Sequence, residues 1–278
     1  MARSVPHYLL TIAVLLLLAL PAVAAEPSAE LYRAQTIVTG TGEANRLIGF
    51  ASCLEDALIK VSGQLKLAGD PRLAPYKADA AKLVRDFSYR DEKGGKPKND
   101  EQGTRDRSFI LTAEFDEAGI NGVLEKLGVT PWLSRRPVLG VFAELQPGAR
   151  RFVVAADTKD TDLQRTALVA AATMRGMQLA LPDAAALAAV GANDQPLAAI
   201  APAKLAEAAS KQGGEVLLIA RLAWDDQSLK WNSDWQLDWQ DSSHQARSQQ
   251  WRLAVETFDE TFRQGIGTAA QILSHQQP

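Results

Sequence analysis

The sequence predicts an α/β (α+β) protein made of two small mixed-sheet domains, with helices packed on the sheets, after a cleaved signal peptide. Three patterns predict this fold. Apolar residues recur at three- and four-residue spacing through residues 47–61, which is typical of an amphipathic helix. Residues 216–220 form an unbroken apolar run, as in a strand covered on both faces. Residues 229–240 alternate between a mainly aromatic set and a polar set, as in a half-buried strand.

The first 24 residues have the three parts of a secretory signal peptide. Arg3 supplies a positive charge, residues 9–20 are almost all apolar, and residues 22–24 are small, as they are before a cleavage site. The apolar run is too short for a membrane span, which needs about 20 residues. We therefore expect cleavage after Ala24, a periplasmic mature protein, and no membrane span in the mature chain.

Residues 25–134 are predicted to form an amino-terminal α+β domain. Its expected elements are a strand at 31–39, a turn at 40–42, a helix that ends at Gly63, a helix at 77–87, a strand at 108–115 and a helix after Asp116. Residues 90–107 contain no apolar side chain, so we expect a mobile loop there. Cys53 is the only cysteine, which excludes an internal disulfide, and its place beside the apolar helix face predicts a buried, inert thiol.

Residues 135–278 are predicted to form a carboxy-terminal α/β domain, which opens near Pro137. Its expected elements are strands at 138–145 and 151–156, a helix at 162–175, a strand at 177–181, a short helix after Asp183, a helix at 204–211, strands at 216–220, 229–240 and 246–253, and an amphipathic helix at 258–273. This alternation of helix and strand predicts a sheet with helices packed on it.

The composition is that of an ordinary globular protein. Apolar residues make up 46% of the chain and charged residues 23%, and the net charge is −3. Nucleic-acid binding depends on clustered lysines and arginines that meet phosphates. We therefore expect no nucleic-acid partner.

The usual catalytic signatures are missing from the sequence. The two histidines of the mature chain, His244 and His275, lie in no recognised motif. There is no nucleophile elbow and no His-Glu-x-x-His pair. Acidic residues are plentiful, so a carboxylate-based hydrolase stays open, but Asp225 and Asp226 are expected to serve a turn between two strands. The sequence therefore favours a non-enzymatic role.

Two further motifs approximate ligand sites but have simpler structural explanations. Residues 40–42 resemble part of a dinucleotide fingerprint that lacks its third glycine, so we predict a tight turn. Asp157, Asp160 and Asp162 are spaced like calcium-loop ligands, but the glycine and glutamate of that loop are absent. We predict that these carboxylates cap the helix that begins near Asp162 and complement its dipole. No cofactor and no metal are expected.

Three tryptophans, Trp231, Trp235 and Trp239, share one face of the predicted strand at 229–240. Each can bury roughly 150–250 Å², so together they form either a large part of a core or a platform on which sugar rings stack. The sequence favours core packing and leaves open a binding face for cell-wall glycan.

Several short stretches match a known group of proteins when taken together. They are Val38-Thr39-Gly40 with Gly42, residues 57–63 (ALIKVSG), Phe115-Asp116, Pro131-Trp132 with Arg136-Pro137, residues 175–179 (RGMQL) with Leu181-Pro182, and residues 216–221 (VLLIAR). In these stretches the chain resembles an exported proteobacterial family of unknown function. The second half is also similar in layout to small periplasmic α/β domains, such as the amino-terminal domain of the Tol system's β-propeller protein. The resemblance implies export and assigns no reaction or catalytic residue.

Three functions therefore compete. The first is a non-enzymatic envelope protein, a scaffold or assembly factor with an envelope protein as its partner. The second is a glycan- or peptidoglycan-binding module that uses the three tryptophans. The third is a carboxylate-based hydrolase. Export and the missing catalytic signatures favour the first.

Overall fold

The computed structural model describes residues 27–92 and 107–275, and within them it confirms the α/β prediction. The predicted signal peptide and residues 93–106 of the predicted loop lie outside these ranges. The first half contains α1 (Pro27–Leu31), β1 (Arg33–Thr39), α2 (Glu43–Ser62), α3 (Ala74–Ala78), β2 (Val84–Asp91), β3 (Ser108–Phe115) and α4 (Glu117–Lys126). Its strands form an antiparallel sheet in the order β1-β3-β2.

Helix α2 is the core helix of this half, as its periodicity predicts. Its buried face includes Phe50, Leu54 and Leu58. Gly63 ends the helix in the left-handed conformation, with φ of 71°, and donates its N–H to the carbonyl of Ile59 at 2.8 Å. The buried face of α2 packs directly on the first sheet.

Cys53 is fully buried on the same helix, as predicted. Burial raises the pKa of its thiol to about 12, with the negative charge of Asp56 acting in the same direction. A thiolate is the reactive form of cysteine, so the side chain is inert at neutral pH.

The predicted helix at 77–87 is wrong. The chain forms the short helix α3, a 3-10 turn at Ala80–Leu83 and then strand β2, in which Tyr89 pairs with Leu111 of β3. Val, Phe and Tyr suit a pleated surface, and pairing along β3 outweighs the helical spacing of a few apolar residues. The predicted loop at 90–107 also begins too early, because Arg90 and Asp91 belong to β2.

The second half contains a larger, mixed sheet. Its elements are β4 (Leu139–Gln146), β5 (Phe152–Val153), α5 (Asp162–Met174), β6 (Leu179–Ala180), α6 (Ala184–Val190), α7 (Pro202–Lys211), β7 (Val216–Asp225), β8 (Lys230–Gln240), β9 (Ala246–Val255) and α8 (Phe258–Ser274). The strand order is β5-β4-β7-β8-β9, and β6 also pairs with β4. Strand β7 is parallel to β4, and β8 and β9 follow as antiparallel neighbours.

Helices cover both faces of this sheet where β4 and β7 lie. Helices α5 and α8 pack on one face, and α6 and α7 pack on the other. This two-sided burial explains the continuous apolar run at 216–220. Gly140 lets α7 approach, because a Cβ built there would lie 2.5 Å from the Cβ of Ala209.

Strand β8 is covered on one face only, and its side chains alternate as the sequence predicts. The prediction is wrong at Leu229. That residue lies in the preceding turn with φ of 53° and is 64% exposed, so it does not join the buried face. The turn geometry decides its place, since a left-handed residue cannot continue the strand.

The two halves contact each other through residues next to the first core. The amide side chain of Gln64 donates to the Ser274 hydroxyl at 3.1 Å, and the Lys66 backbone N–H donates to the side-chain oxygen of Gln271 at 3.1 Å. The division into domains at 25–134 and 135–278 stays a prediction. No helix within the described ranges is long and apolar enough to cross a membrane.

Candidate functional site

Trp235, the central member of the predicted tryptophan face, lies in the core. It is 1% exposed, its indole N–H donates to the Ser233 hydroxyl at 2.9 Å, and its ring stacks on Trp251 with centroids 6.0 Å apart. Gly265 of α8 lies under the ring, because a Cβ there would come within 2.2 Å of the indole. The sheet and α8 therefore enclose this side chain.

The other two members of the face are half-buried. Trp231 makes edge-to-face contacts with Trp224 and Phe258, at centroid distances of 5.8 and 6.2 Å. Trp239 packs against the same core, and its buried indole N–H has no hydrogen-bond partner among the described residues. Glycan binding by the three tryptophans stays a prediction, and only Trp231 and Trp239 present any surface for it.

No side chain of the acidic triplet caps α5, which corrects that part of the prediction, whereas Asp162 lies in the first turn of α5, where its charge complements the helix dipole as predicted. The Asp157 carboxylate accepts the Ala184 N–H at 2.9 Å, at the start of α6, where Asp183 is the N-cap. Asp162 instead pairs with Arg165 one turn later in α5. The fold brings Asp157 beside α6, although the two are distant along the sequence. Across the described ranges, no group of three or more His, Cys, Asp or Glu side chains could hold a metal ion.

The remaining sequence candidates take part in turns. The Asp225 carboxylate accepts the Gln227 N–H at 3.0 Å and the Ser228 hydroxyl at 2.7 Å between β7 and β8. His244 lies exposed between β8 and β9 with φ of 59°. Gly40 has φ of 75° after β1, which agrees with the predicted turn there.

One cleft in the described part of the chain lies between the two halves. Its volume is about 370 Å³. One wall is β1 with Ile110 of β3, the opposite wall is α5, and the floor includes Asp56 and Lys60 of α2. This volume lies within the range of ligand pockets, about 300–1,000 Å³. The cleft can therefore hold a short segment of chain or a small molecule.

Lys60 is the least expected residue of the cleft, since it is only 7% exposed. Its ammonium donates to the Arg33 carbonyl at 2.5 Å and to the Glu30 carbonyl at 3.3 Å. Burial lowers the pKa of Lys60 to about 8, because desolvation outweighs the attraction of Glu30 and Asp56, and the charges of two nearby arginines add to the lowering. The signal was present in the sequence as a lysine among apolar residues on a buried helix face.

The two arginines complete a buried polar layer under the cleft. Arg136 donates to the carbonyls of Arg175 at 2.5 Å and of Lys60 at 2.6 Å, and its guanidinium lies 4.4 Å from the Trp132 ring centre. Arg175 pairs with Asp56 at 3.5 Å. Burial lowers the pKa of Arg136 to about 10 and raises the pKa of Asp56, which Arg175 partly opposes. The layer holds more positive than negative charge.

The lowered pKa of Lys60 is expected to make the stability of the protein depend on pH. Its pKa is about 8 in the folded protein and about 10.4 in an unfolded chain, so between these values the unfolded chain binds the proton more tightly. Raising the pH from 7 to 9.5 is therefore expected to stabilise the wild type relative to Lys60→Met by about 2 kcal/mol. Urea unfolding of both proteins across this range measures the difference. A difference that stays flat would contradict the titration of Lys60 in this window.

The described residues thus form a two-sheet α/β protein with a polar-floored cleft between its halves. Residues 25–133 match the family model of a domain of unknown function, DUF8605. The match confirms the resemblance to an uncharacterised family for the first half of the chain, while a proteobacterial origin and the Tol-like second half stay predictions. No curated protein matches the chain.

Proposed function

We propose that the protein is an exported, non-enzymatic envelope protein, a scaffold or assembly factor that binds another protein in the cleft between its halves. The cleft carries this proposal. Its walls are a strand edge and a helix with small and apolar side chains, and its floor has charged groups that are already paired or hydrogen-bonded. Export is supported by the leader in the sequence.

The carboxylates of the cleft support binding better than hydrolysis. Glu30 and Asp56 both line it, but each faces an arginine: Glu30 pairs with Arg33 at 2.6 Å and Asp56 with Arg175 at 3.5 Å. Burial raises the pKa of Asp56, but the charge of Arg175 opposes this rise, and both carboxylates already have an arginine as partner. The pairing therefore supports a positioning or binding role.

Site-specific photocrosslinking tests the proposal. A benzophenone amino acid at Thr173, an exposed position of α5 in the cleft wall, is expected to give one discrete adduct with an envelope protein in the periplasmic fraction. The matched control is the same replacement at Gln250, an exposed position of β9, which is expected to give none of that adduct. The mass of the uncrosslinked chain from the same fraction reports whether the mature chain begins at Ala25.

Two outcomes would contradict the proposal. The first is an identical adduct pattern at both positions, since contact would then not involve the cleft. The second is absence of any adduct at Thr173 together with sedimentation on peptidoglycan that Trp231→Ala abolishes. That result would favour the glycan-binding alternative on the face of Trp231, Trp235 and Trp239, of which Trp231 and Trp239 present surface.

A further inference from the structure

Among residues 27–92 and 107–275, strand β1 has one backbone edge without a strand partner. It lies at the end of the three-stranded sheet, and within these ranges it pairs with β3 alone. The Phe115 N–H donates to the Tyr32 carbonyl, and the Gly40 N–H donates to the Arg107 carbonyl. The backbone N–H and C=O groups of even-numbered β1 residues therefore point toward β3. Because backbone groups alternate along a strand, the N–H and C=O groups of Gln35 and Ile37 point away from the sheet, toward the cleft.

Side chains occupy the two ends of this edge. Lys60 donates to the Arg33 carbonyl at the buried end, and the Asn45 amide donates to the Thr39 carbonyl at the exposed end. Between them, the edge of Gln35 and Ile37 is a row of donors and acceptors repeated about every 7 Å. The backbone of another extended chain has the matching spacing, so a strand is the group that complements this edge.

The other long edges of the two sheets carry features that discourage pairing. Strand β2 has a bulge between Val84 and Asp86 and carries Arg85, Arg90 and Asp91. The edge strand β9 carries two arginines along an exposed, polar surface. Strand β1 is regular and has no charged residue from 34 to 39. Proteins commonly protect free edges with bulges and charges, and β1 lacks both over this stretch.

The surroundings of the β1 edge suit an incoming strand with apolar side chains. Ile37 is 60% exposed beside its partner Ile110, and Ala170 and Met174 face them from α5. Apolar side chains at alternate positions of an added strand would cover these surfaces. This burial would remove an exposed isoleucine from water.

The buried end of the cleft is positively charged. Lys60, Arg136 and Arg175 lie there with the carboxylates of Asp56 and Glu30, and Glu30 is already paired with Arg33, so positive charge is in excess. An added strand that runs antiparallel to β1 would enter beside Thr39 and end beside Lys60. Its last group would then meet the positive end, and the C-terminal carboxylate of a chain has the complementary charge.

We propose that the carboxy-terminal segment of a partner protein binds in the cleft as an added antiparallel strand, paired with Gln35 and Ile37, with its terminal carboxylate at Lys60. This inference rests on the proposed binding function and specifies the kind of partner. Affinity comes from backbone hydrogen bonds, and specificity comes from alternate apolar side chains and the free carboxylate.

The test uses a library of random octapeptides displayed with free C-termini and selected on the immobilised full mature chain. Enriched sequences are expected to alternate apolar residues, and their synthetic free acids are expected to bind at least tenfold more tightly than the C-terminal amides. Hydrogen exchange is expected to show new protection of the Gln35 and Ile37 amides when a selected peptide is bound.

Three variants complete the test. Gln35→Pro removes an edge donor and keeps the backbone bonds to β3, although it loses the side-chain bond to the Thr112 hydroxyl, and Ile37→Lys puts a charge on an exposed edge position. Each is expected to weaken peptide binding at least tenfold. The matched control is Gln250→Pro. The Asp241 N–H donates to the Gln245 carbonyl, so even-numbered residues of β9 face outward, and this variant is expected to leave binding unchanged. Thermal unfolding confirms that each variant is folded.

The inference is overturned if no sequence is enriched, if acid and amide bind equally, or if Ile37→Lys keeps the wild-type affinity. If any of these results is found together with a discrete crosslink from Thr173, the proposed binding function is retained and the partner binds the cleft in another way. Loss of both the crosslink and the peptide binding would remove both proposals.

Discussion

Replacing Trp235 with alanine is expected to lower the free energy of unfolding by about 3–5 kcal/mol. The indole is 1% exposed, stacks on Trp251 and lies against Gly265, where the chain has no Cβ to fill the space. Its removal leaves a cavity between β8 and α8 that the surrounding backbone cannot close, and it leaves the Ser233 hydroxyl without its donor. Urea unfolding at pH 7 measures the loss.

Trp231→Ala is the matched control for this prediction. Its ring is half-buried at the rim of the same face, so a smaller loss is expected than at Trp235. Sedimentation with peptidoglycan, measured on both variants, separates packing from binding. Unchanged stability of Trp235→Ala together with lost sedimentation would overturn the core role and favour a glycan-binding face.

Replacing Arg136 with alanine is expected to lower the free energy of unfolding by about 2–4 kcal/mol. The guanidinium donates to carbonyls of Lys60, Arg175 and Trp132, and it lies over the Trp132 ring. Without it, these carbonyls keep no charged donor, and the contact between the two halves loses its central side chain. Removal of a buried charge offsets part of this loss, which sets the range below that of a broken buried ion pair.

Arg135→Ala provides a matched control one residue earlier. Arg135 pairs with Glu215 on the surface, where its side chain is 74% exposed, and such pairs contribute about 0–1 kcal/mol. Both variants are measured by urea unfolding at pH 7. Equal losses at the two positions would contradict the role of Arg136 as the bridge between the halves.

Local patterns were sufficient where one element carries its own signal. The spacing along α2, the apolar run of β7 and the alternation along β8 each predict the observed structure. In each case the side chains that face the core lie within about 20 residues, and the period of the pattern equals the period of the element. The burial of Cys53 followed from its place in the first of these patterns.

Strand β2 shows where local patterns were insufficient. Its Val84, Phe87 and Tyr89 fit a helix face or a strand about equally until β3 lies beside them. Pairing with a neighbour 20 or more residues away decides between the two, because a strand gains its hydrogen bonds only from another strand. Asp157 shows the same dependence on partners. It hydrogen-bonds to the start of α6 and not to α5, the next helix along the chain.

The sequence by itself determined the fold class, most of the elements and the core face of β8, because hydrophobic periodicity is encoded within each element. Only the tertiary structure decided the candidate site. Lys60, Arg136 and Arg175 come together from three separate segments, and β1 and α5 face each other across the cleft although more than 120 residues separate them. The open strand edge depends on which strands pair with β1, and the lowered pKa of Lys60 depends on its burial among groups of both halves, so neither can be read from local sequence.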